Sequence, residues 1–205
     1  MPNPKSIFTT ETLRFFRDLA KHNRKAWMDA NRDRYQNHVV APFRRLLSEL
    51  TPGVLALDSN FGTSGRTGEN FSRINRDIRF AKDKTPYRTQ MYLMFPAISS
   101  AGEAGQLYVG VSDETVTAGF RIYGGGVRKT SAIALIAEPR AARGPKWLTQ
   151  QKKRLGRRYE SYWYSMEKGE WTKHDGWPLT ADEWKKLYGW IVRCKMKLLQ
   201  LTLSN

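Results

Sequence analysis

The spacing of apolar residues changes near residue 60, from a helical period to a strand period, and the change restricts the folds that the chain can adopt. Up to Leu50, apolar side chains recur three or four residues apart, as they do on the buried face of a helix. Between Phe71 and Tyr123 many of them alternate with polar side chains, as in strands that bury one face. Because the two patterns occupy separate stretches, the sequence predicts an α+β fold and argues against an alternating β-α-β order.

Two helices are predicted before the strands. The first begins with Thr10 as its N-cap, and the second begins near Asn23. A kink or restart is expected near Val40, because Pro42 removes a backbone donor from the helix. Residues 51–53, which are Thr-Pro-Gly, are expected to end the second helix.

The rest of the pattern predicts a sheet followed by further helices. The predicted strands are residues 71–80, 88–95, 107–111 and 115–123, with a flexible connection at 99–105 and a hairpin turn at 112–114. Residues 133–136, 147–155 and 182–203 are predicted to be helical, and residues 159–177 irregular. The expected protein is thus one domain over residues 1–205, with an N-terminal helix pair, a central antiparallel sheet and C-terminal helices.

The charge of the chain points to anionic partners. Its 205 residues include 35 Lys and Arg against 19 Asp and Glu, a formal net charge of +16. Such an excess attracts polyanions, unless it belongs to a generally solvated basic surface. Residues 66–88 carry a net +4, and residues 139–159 carry a net +8 with no acid. The predicted partners are nucleic acid or a phosphorylated ligand, bound between Arg73 and Arg88 or between Arg140 and Arg158.

Composition also argues against several classes of function. One cysteine, Cys194, excludes an intramolecular disulfide and a Cys-rich zinc site. The three histidines, His22, His38 and His174, have no ligand spacing, so neither a metal nor a cofactor is predicted. No apolar run approaches the roughly 18 residues of a membrane span, and no apolar leader follows Met1. A cytoplasmic protein without a membrane partner is therefore expected.

The segment from Arg73 to Arg88 interleaves basic and acidic residues and turns at Pro86. In one interpretation, Asp77 and Asp83 hold neighbouring cations in a structural ion-pair lattice. In the other, the cations form a preorganised pocket for phosphate or carboxylate, with hydroxyl donors beside them. The candidate anion-binding residues are Arg73, Arg76, Arg79, Lys82, Lys84, Thr85, Tyr87 and Arg88, with support from Asp77, Asp83, Tyr123, Gly124, Gly125 and Gly126.

Arg76 distinguishes the two interpretations. It is predicted to lie on the same strand face as Ile74 and Ile78, where a buried guanidinium needs a partner. An acid from the protein beside Arg76 would favour the lattice, whereas a void or a bound anion would favour the pocket.

This motif, together with Phe16, Trp27, Tyr35 and the glycine run at 124–126, resembles a bacterial family of conserved hypothetical proteins known as domain of unknown function 2461. In that family a helical start precedes an Arg-Asp-x-Arg-Phe-x-Lys-Asp-Lys-Thr-Pro-Tyr core, and a strand pair and a Gly-Gly-Gly turn follow it. Residues 76–87 match the core, and the likeness is strongest over residues 11–126. The resemblance implies a common fold and no activity.

Two further features have more than one interpretation. The glycine run at 124–126 is either a tight turn or a backbone nest for an anion, and it has neither Walker A nor dinucleotide-loop spacing. Six aromatic residues between 159 and 177 follow the basic run at 152–158. They either pack in a core or stack on the bases of a single-stranded nucleic acid.

Three functions remain open on these observations. The leading hypothesis is a binding module for a phosphate-bearing or polyanionic partner that uses the Arg/Lys-rich strand and turn. The second is an enzyme on a small phosphorylated or carboxylated substrate, in which Arg76, Arg79 and Lys82 bind the anion and Asp77 or Asp83 acts as acid or base. The third is a structural or partner-binding protein in which the motif is only a salt-bridge lattice.

Overall fold

Helices precede and flank an antiparallel sheet in the computed structural model, which describes residues 6–99, 102–123 and 144–197. This arrangement confirms the predicted α+β class. The helices are α1 (Thr10–Lys21), α2 (Lys25–Ala30), α3 (Arg32–Tyr35), α4 (Ala41–Leu57), α5 (Gly144–Leu155) and α6 (Ala181–Lys185), with a π-helical turn at Gln36–Val40 and a 3-10 turn at Gly156–Arg158.

The sheet has six strands in the order β1-β2-β3-β6-β4-β5. Strand β4 pairs antiparallel with both of its neighbours, β5 and β6. The strands are β1 (Gln90–Ser99), β2 (Gly102–Ser112), β3 (Thr115–Tyr123), β4 (Tyr159–Glu167), β5 (Glu170–Asp175) and β6 (Gly189–Lys197).

The chain divides into two compact units. One comprises Met1–Phe95, Val109–Val116 and Met196–Asn205, and the other Pro96–Tyr108 and Thr117–Lys195. The first unit has a core that includes Phe15, Phe16, Leu19, Met28, Phe43 and Leu93, and the second has one formed by Ile122, Trp163, Trp184, Leu187, Trp190 and Val192. That residues 1–205 form a single domain stays a prediction.

The first helix begins one residue earlier than predicted, with Thr9 rather than Thr10 as its N-cap. Thr12, in the first turn, is fully buried. Its hydroxyl accepts a hydrogen bond from the Thr9 backbone N–H and donates one to the His38 carbonyl at 2.7 Å. The His38 carbonyl is the one that Pro42 leaves without a helical donor, because proline has no N–H. Thr12 therefore satisfies a backbone group that the proline orphans and ties α1 to the second helical segment.

The irregularity predicted near Val40 is a π-helical turn. Residues on both sides keep helical dihedral angles, so the backbone continues from α3 into α4 without a break. The Ala41 N–H reaches back to the Gln36 carbonyl, five residues earlier, which absorbs one extra residue into the helix. Pro42 then occupies the start of α4, where a missing donor is tolerated.

The predicted end of this helix at residues 51–53 is wrong. Helix α4 continues through Pro52 to Leu57. The Thr51 hydroxyl donates to the Leu47 carbonyl at 2.7 Å, and Val54, in the final turn, is buried. Packing of this last turn offsets the cost of an internal proline, about 3 kcal/mol, which local propensity alone does not include.

The predicted strand at 71–80 is also wrong. This segment makes isolated bridges only, Phe71 with Leu93 and Asn75 with Tyr87. Its alternation of apolar and charged residues suits a strand, but Arg76 pairs with Asp83 and Asp77 pairs with Arg79, and these local pairs belong to a turn. By contrast, the strands predicted at 88–95, 107–111 and 115–123 are confirmed as parts of β1, β2 and β3.

Strand β2 includes Gly102 and Gly105, which were expected in a flexible connection at 99–105. Gly105 has a φ of 145°, and a Cβ on it would lie 2.5 Å from the ring of Phe120. Because glycine has no Cβ, the Phe120 ring can pack against the strand at this position. In the sequence, a glycine with this role looks the same as a glycine in a loop. The helical pattern predicted at 133–136 lies outside the described residues, while that at 147–155 is confirmed by α5.

Residues 159–177 form a hairpin instead of an irregular stretch. Strands β4 and β5 join through Lys168 and Gly169, both with positive φ, as in a tight two-residue turn. The alternation was concealed because serines face inward. The Ser161 hydroxyl donates to the Ile191 carbonyl at 3.0 Å and accepts from the Trp190 indole at 2.8 Å. Inward polar residues that are hydrogen bonded are compatible with a buried face.

The predicted closing helix at 182–203 is limited to α6, after which the chain enters β6. Trp184, Leu187 and Ile191 have helical spacing, but Trp190, Ile191 and Val192 are all buried in succession. Successive burial is typical of a strand covered on both faces, and it cannot be told from a helical stripe by spacing alone.

Gly119 in β3 provides a test of the sheet. A Cβ at this position would lie 2.1 Å from the Val192 carbonyl oxygen and 2.7 Å from the Arg193 Cα. We expect Gly119→Ala to destabilise the protein by about 2–3 kcal/mol in urea unfolding, because neither backbone atom can move aside. Gly53→Ala is the matched control. Gly53 lies inside α4 with open space around it, so alanine should stabilise by up to about 1 kcal/mol. Equal stability of both variants would contradict the close approach.

Candidate functional site

The motif that dominates the sequence forms a turn closed at its base by backbone hydrogen bonds. The Arg76 N–H donates to the Pro86 carbonyl, and the Arg88 N–H donates to the Ile74 carbonyl, both at 2.8 Å. An antiparallel bridge between Asn75 and Tyr87 lies between these two bonds. We call residues 76–86 the charged turn.

Asn23 holds the chain where it leaves the charged turn. Its amide nitrogen donates to the Tyr87 carbonyl at 2.9 Å, and its amide oxygen accepts from the Tyr87 N–H at 3.0 Å. The side chain thus pairs with a backbone unit as another peptide would. Sequence reasoning assigned Asn23 to a helix cap, but the cap of α2 is Arg24. The only sequence signal for this role is that an asparagine side chain can donate and accept at the same time. That property does not identify a partner 64 residues away.

Arg76 lies in a network inside the turn. Its guanidinium binds Asp83 at 2.5 Å and also donates to the hydroxyl and the carbonyl of Thr85. Asp83 in turn accepts from the Thr85 N–H and hydroxyl, both at 2.9 Å. The Arg76 side chain is 25% exposed, and its partner is a protein acid. By the criterion derived from the sequence, Arg76 belongs to the lattice.

The second acid of the turn is paired as well. Asp77 accepts two side-chain hydrogen bonds from Arg79, at 2.7 and 3.0 Å, and one from the Arg79 backbone. Lys84 donates to the carbonyls of Ile78 and Arg79, so its ammonium closes the turn across the backbone. Asp83 was expected between Lys82 and Lys84, but its partner is Arg76, because the chain reverses between residues 77 and 83.

These contacts lower the pKa values of both acids. The Thr85 N–H, then Arg76, then the Thr85 hydroxyl lower the pKa of Asp83 to about 2. Hydrogen bonds from the Arg79 side chain and backbone lower the pKa of Asp77. Both carboxylates are therefore ionised at neutral pH and poorly matched to proton transfer there, so the enzyme hypothesis gains no support from them.

Three exposed side chains are not used in the internal hydrogen bonds and ion pairs of the charged turn: Phe80 and Lys82 within it, and Arg88 just after it. Within the described ranges, the side chains of Lys82 and Arg88 make no hydrogen bond or ion pair, and both are exposed. Phe80 is 94% exposed, with the Arg79 guanidinium 5.9 Å from its ring centre. Sequence reasoning missed Phe80, since a lone phenylalanine in an alternating segment suggests an inward-facing residue.

Arg73 lies before the turn and apart from this network. Together with Arg44 of α4 it lines a cleft of about 310 Å³ in the first unit. Arg44 also escaped the sequence analysis, because it lies on a helix and outside both basic windows.

The supporting residues predicted beyond the turn have other surroundings. Tyr123 ends β3 in the second unit, where its ring lies 6.0 Å from that of Trp171. Gly124, Gly125 and Gly126 lie outside the described residues. Thr85 and Tyr87, proposed as hydroxyl donors, serve the turn itself, Thr85 through Asp83 and Tyr87 through its backbone.

The second basic window is described from Gly144 onward. Helix α5 and the 3-10 turn after it expose five cations, which make no ion pair within the described ranges: Lys152, Lys153, Arg154, Arg157 and Arg158. Arg140 and Arg143 lie outside the described residues. This run forms a second basic surface, in the second unit.

No three His, Cys, Asp or Glu side chains among the described residues are grouped as a metal site. Ser165 and His174 form a hydrogen bond of 2.9 Å, and the His174 ring stacks on Trp163 at 4.0 Å. Ser165 is buried, so this pair is part of the packed hairpin. No helix in the described part of the chain is long and apolar enough to cross a membrane.

Residues that include the charged turn match one family of known proteins. A family model described as conserved hypothetical protein, domain of unknown function 2461, matches residues 11–143. The resemblance predicted over residues 11–126 is thereby confirmed, and the match extends beyond it. No curated protein and no solved structure matches the chain significantly.

The contacts of Asp83 predict a titration that can be measured. Because its pKa is lowered on folding, the turn is stabilised above about pH 4 and loses that stabilisation as the pH falls through about 2. In a ¹³C NMR titration of the carboxyl we expect a midpoint near 2, which Arg76→Gln raises part of the way toward the ordinary value of about 3.9. Arg79→Gln removes an equal charge and should leave the Asp83 midpoint unchanged. A midpoint near 4 in the unsubstituted protein would contradict the network.

Proposed function

This chain belongs to the family of conserved hypothetical proteins described as domain of unknown function 2461, and we propose that its charged turn binds a phosphate-bearing polyanion, single-stranded nucleic acid. One observation carries the proposal. Both acids of the turn are paired inside it, while Phe80 and Lys82 of the turn and Arg88 just after it are exposed and, among the described residues, make no ion pair.

The charges favour a polyanion. Lys82 and Arg88 are exposed, and neither takes part in the two ion pairs of the turn. Asp77 and Asp83 are already paired with Arg79 and Arg76, so these two acids do not neutralise Lys82 or Arg88. Cations displayed in this way attract phosphates and release counterions on binding, which makes the affinity depend on salt.

Phe80 favours a single strand over a duplex. Singly exposed apolar residues are common on surfaces, but the Phe80 ring is 94% exposed and lies beside the Arg79 guanidinium, which leaves most of the ring open to a base. Unpaired bases stack on such rings whatever their sequence, with a contribution of about 1–3 kcal/mol per base. Bases within a duplex are already stacked on one another, so they gain less.

The internal contacts of the turn preorganise this surface. The Arg76–Asp83–Thr85 network and the Lys84 contacts with two carbonyls fix the backbone on both sides of Phe80. A surface that is already ordered loses less conformational entropy on binding than a mobile loop does. The lattice interpretation and the binding interpretation are therefore compatible, because the paired residues support and the unpaired ones bind.

The proposal is tested by fluorescence anisotropy with a labelled oligothymidylate across a salt series. Phe80→Ala should weaken binding roughly tenfold or more without altering the salt slope, whereas Phe80→Tyr should retain it. Lys82→Gln and Arg88→Gln should each reduce the slope of log K against log salt by about 0.7. Duplex DNA of the same length should bind with little dependence on Phe80.

Two controls separate the turn from the rest of the protein. Leu57→Ala removes another large apolar side chain, 74% exposed at the end of α4, and should leave binding unchanged. Substituting Lys152, Lys153 and Arg154 with Gln tests the other basic surface. If this triple variant abolished binding while Phe80→Ala left it intact, the turn would not be the interface. Absence of binding at low salt would overturn the function as a whole.

A further inference from the structure

The cleft beside Arg73 is a second site, and it lies wholly within the first unit. Its volume is about 310 Å³, within the range of pockets that hold small molecules. Its lining includes Tyr35, Val40 and Arg44 of the helical segment, and Phe71, Arg73 and Met91 from later in the chain. No acidic residue is among the described residues that line it.

The two arginines of the cleft are exposed and differ in their contacts from the arginine beside them in α4. Within the described ranges, neither Arg44 nor Arg73 makes a side-chain hydrogen bond or ion pair, and both are exposed. By contrast, Arg45, the neighbour of Arg44 in α4, pairs with Glu49 at 2.7 Å. Two unpaired guanidinium groups at a cleft without acids produce a positive field there, and planar guanidinium matches carboxylate and phosphate oxygens in pairs.

The cleft has an apolar part formed by Tyr35, Val40, Phe71, Ile74 and Met91, and its other described lining residues are polar or charged. Tyr35, Phe71, Ile74 and Met91 are buried and present aromatic, aliphatic and thioether surface. The Tyr35 hydroxyl has the Met91 sulfur as its partner, at 4.0 Å, which is a weak acceptor. Burial raises the pKa of Tyr35, so its hydroxyl stays protonated and able to donate. Convergent polar groups in an apolar cleft are typical of a ligand site.

The π-helical turn explains why Arg44 lies on the same side as Tyr35. In an uninterrupted α-helix, nine residues would set the two about 180° apart, on opposite faces. One residue absorbed by the π turn reduces the separation to roughly 80°. Both residues consequently line one cleft, as the structure has them. Single π turns inside α-helices occur frequently at functional sites.

We infer that this cleft binds a small molecule with an oxyanion, carboxylate or phosphate, on an apolar body. The oxyanion lies between the guanidinium groups of Arg44 and Arg73, and the apolar body lies against Tyr35, Phe71 and Met91. This site is distinct from the surface of the charged turn, since it uses neither Phe80 nor the cations beside that ring.

Phenyl phosphate, benzoate, benzyl alcohol and inorganic phosphate are the probes, and ¹⁵N NMR shifts of backbone amides in the cleft are the readout. Phenyl phosphate and benzoate test the two oxyanions, and the other two test each half of the ligand alone. We expect at least one of the aromatic anions to bind tenfold or more tightly than either half, with shifts at Ser72 and Asn75. Arg44→Gln and Arg73→Gln should each weaken it roughly tenfold or more, because each removes charge-assisted hydrogen bonds.

Matched variants keep the inference falsifiable. Arg44→Lys keeps the charge but loses the paired donors, and should bind with intermediate affinity. Arg17→Gln removes one unpaired, exposed arginine from α1, outside the cleft, and should have no effect. Phe80→Ala should also leave binding intact, which separates this site from the proposed function. Equal binding of benzyl alcohol, equal weakening by Arg17→Gln, or no shift at the cleft amides with millimolar phenyl phosphate and benzoate would each overturn the inference.

Discussion

A single missing N–H, that of Pro42, has consequences across the whole first unit. It leaves the His38 carbonyl without its helical donor, and the buried Thr12 hydroxyl takes that place. Since a free hydroxyl or carbonyl in this interior would cost about 1–3 kcal/mol, the two groups need each other. The helix passes this point through a π turn, and the extra residue rotates everything after it. The proline, the threonine and the π turn thus meet where the helix turns toward α4, which carries Arg44 to the cleft.

In the proposed function, the residues of the charged turn divide into those that support the backbone and those that bind. Exposed ion pairs such as Asp77–Arg79 contribute little to global stability, typically under about 1 kcal/mol. Their effect here is geometric, since they select which cations remain unpaired and which ring is exposed. From the sequence alone the two interpretations of the motif are alternatives, because the sequence does not say which side chains are paired. Arg76 and Asp83 now belong to the support, and Lys82 and Arg88 do not.

Local patterns predicted the α+β class, the first helices and β1 to β3, because those elements obey the spacing rules that their propensities favour. The errors share a cause. The stretch at 71–80 alternates like a strand but is held by the pairs Asp77–Arg79 and Arg76–Asp83, and the β4 stretch lacks alternation because two serines face inward. In each case a specific hydrogen-bond partner decides the outcome, and partners distant in sequence leave no periodic trace.

The same reasoning limits what could be predicted about the site. The motif identified where the turn lies, but two residues that belong with it come much earlier in the chain. Asn23, which fixes the exit of the turn, lies between α1 and α2, and Arg44, which lines the cleft with Arg73, lies on α4. Asn70 is a further example. It is fully buried, and its amide group bonds to the carbonyls of Gly62 and Met94 and to the Gly65 N–H. A loop residue in the sequence is thus the polar centre of the chain segment before β1.

The inward serine at position 161 also restricts how β4 can pair with β6. Ser161 faces Val192 in the register, accepts from the Trp190 indole and donates to the Ile191 carbonyl. A slip of one residue would turn Tyr162 toward the core and leave the buried indole without an acceptor. A uniformly apolar strand would tolerate several alignments at similar cost. In this strand, the native alignment is the one that pairs the Ser161 hydroxyl with the Trp190 indole and the Ile191 carbonyl. Ser161 therefore contributes more to the specificity of the strand register than to the stability of the strand pair.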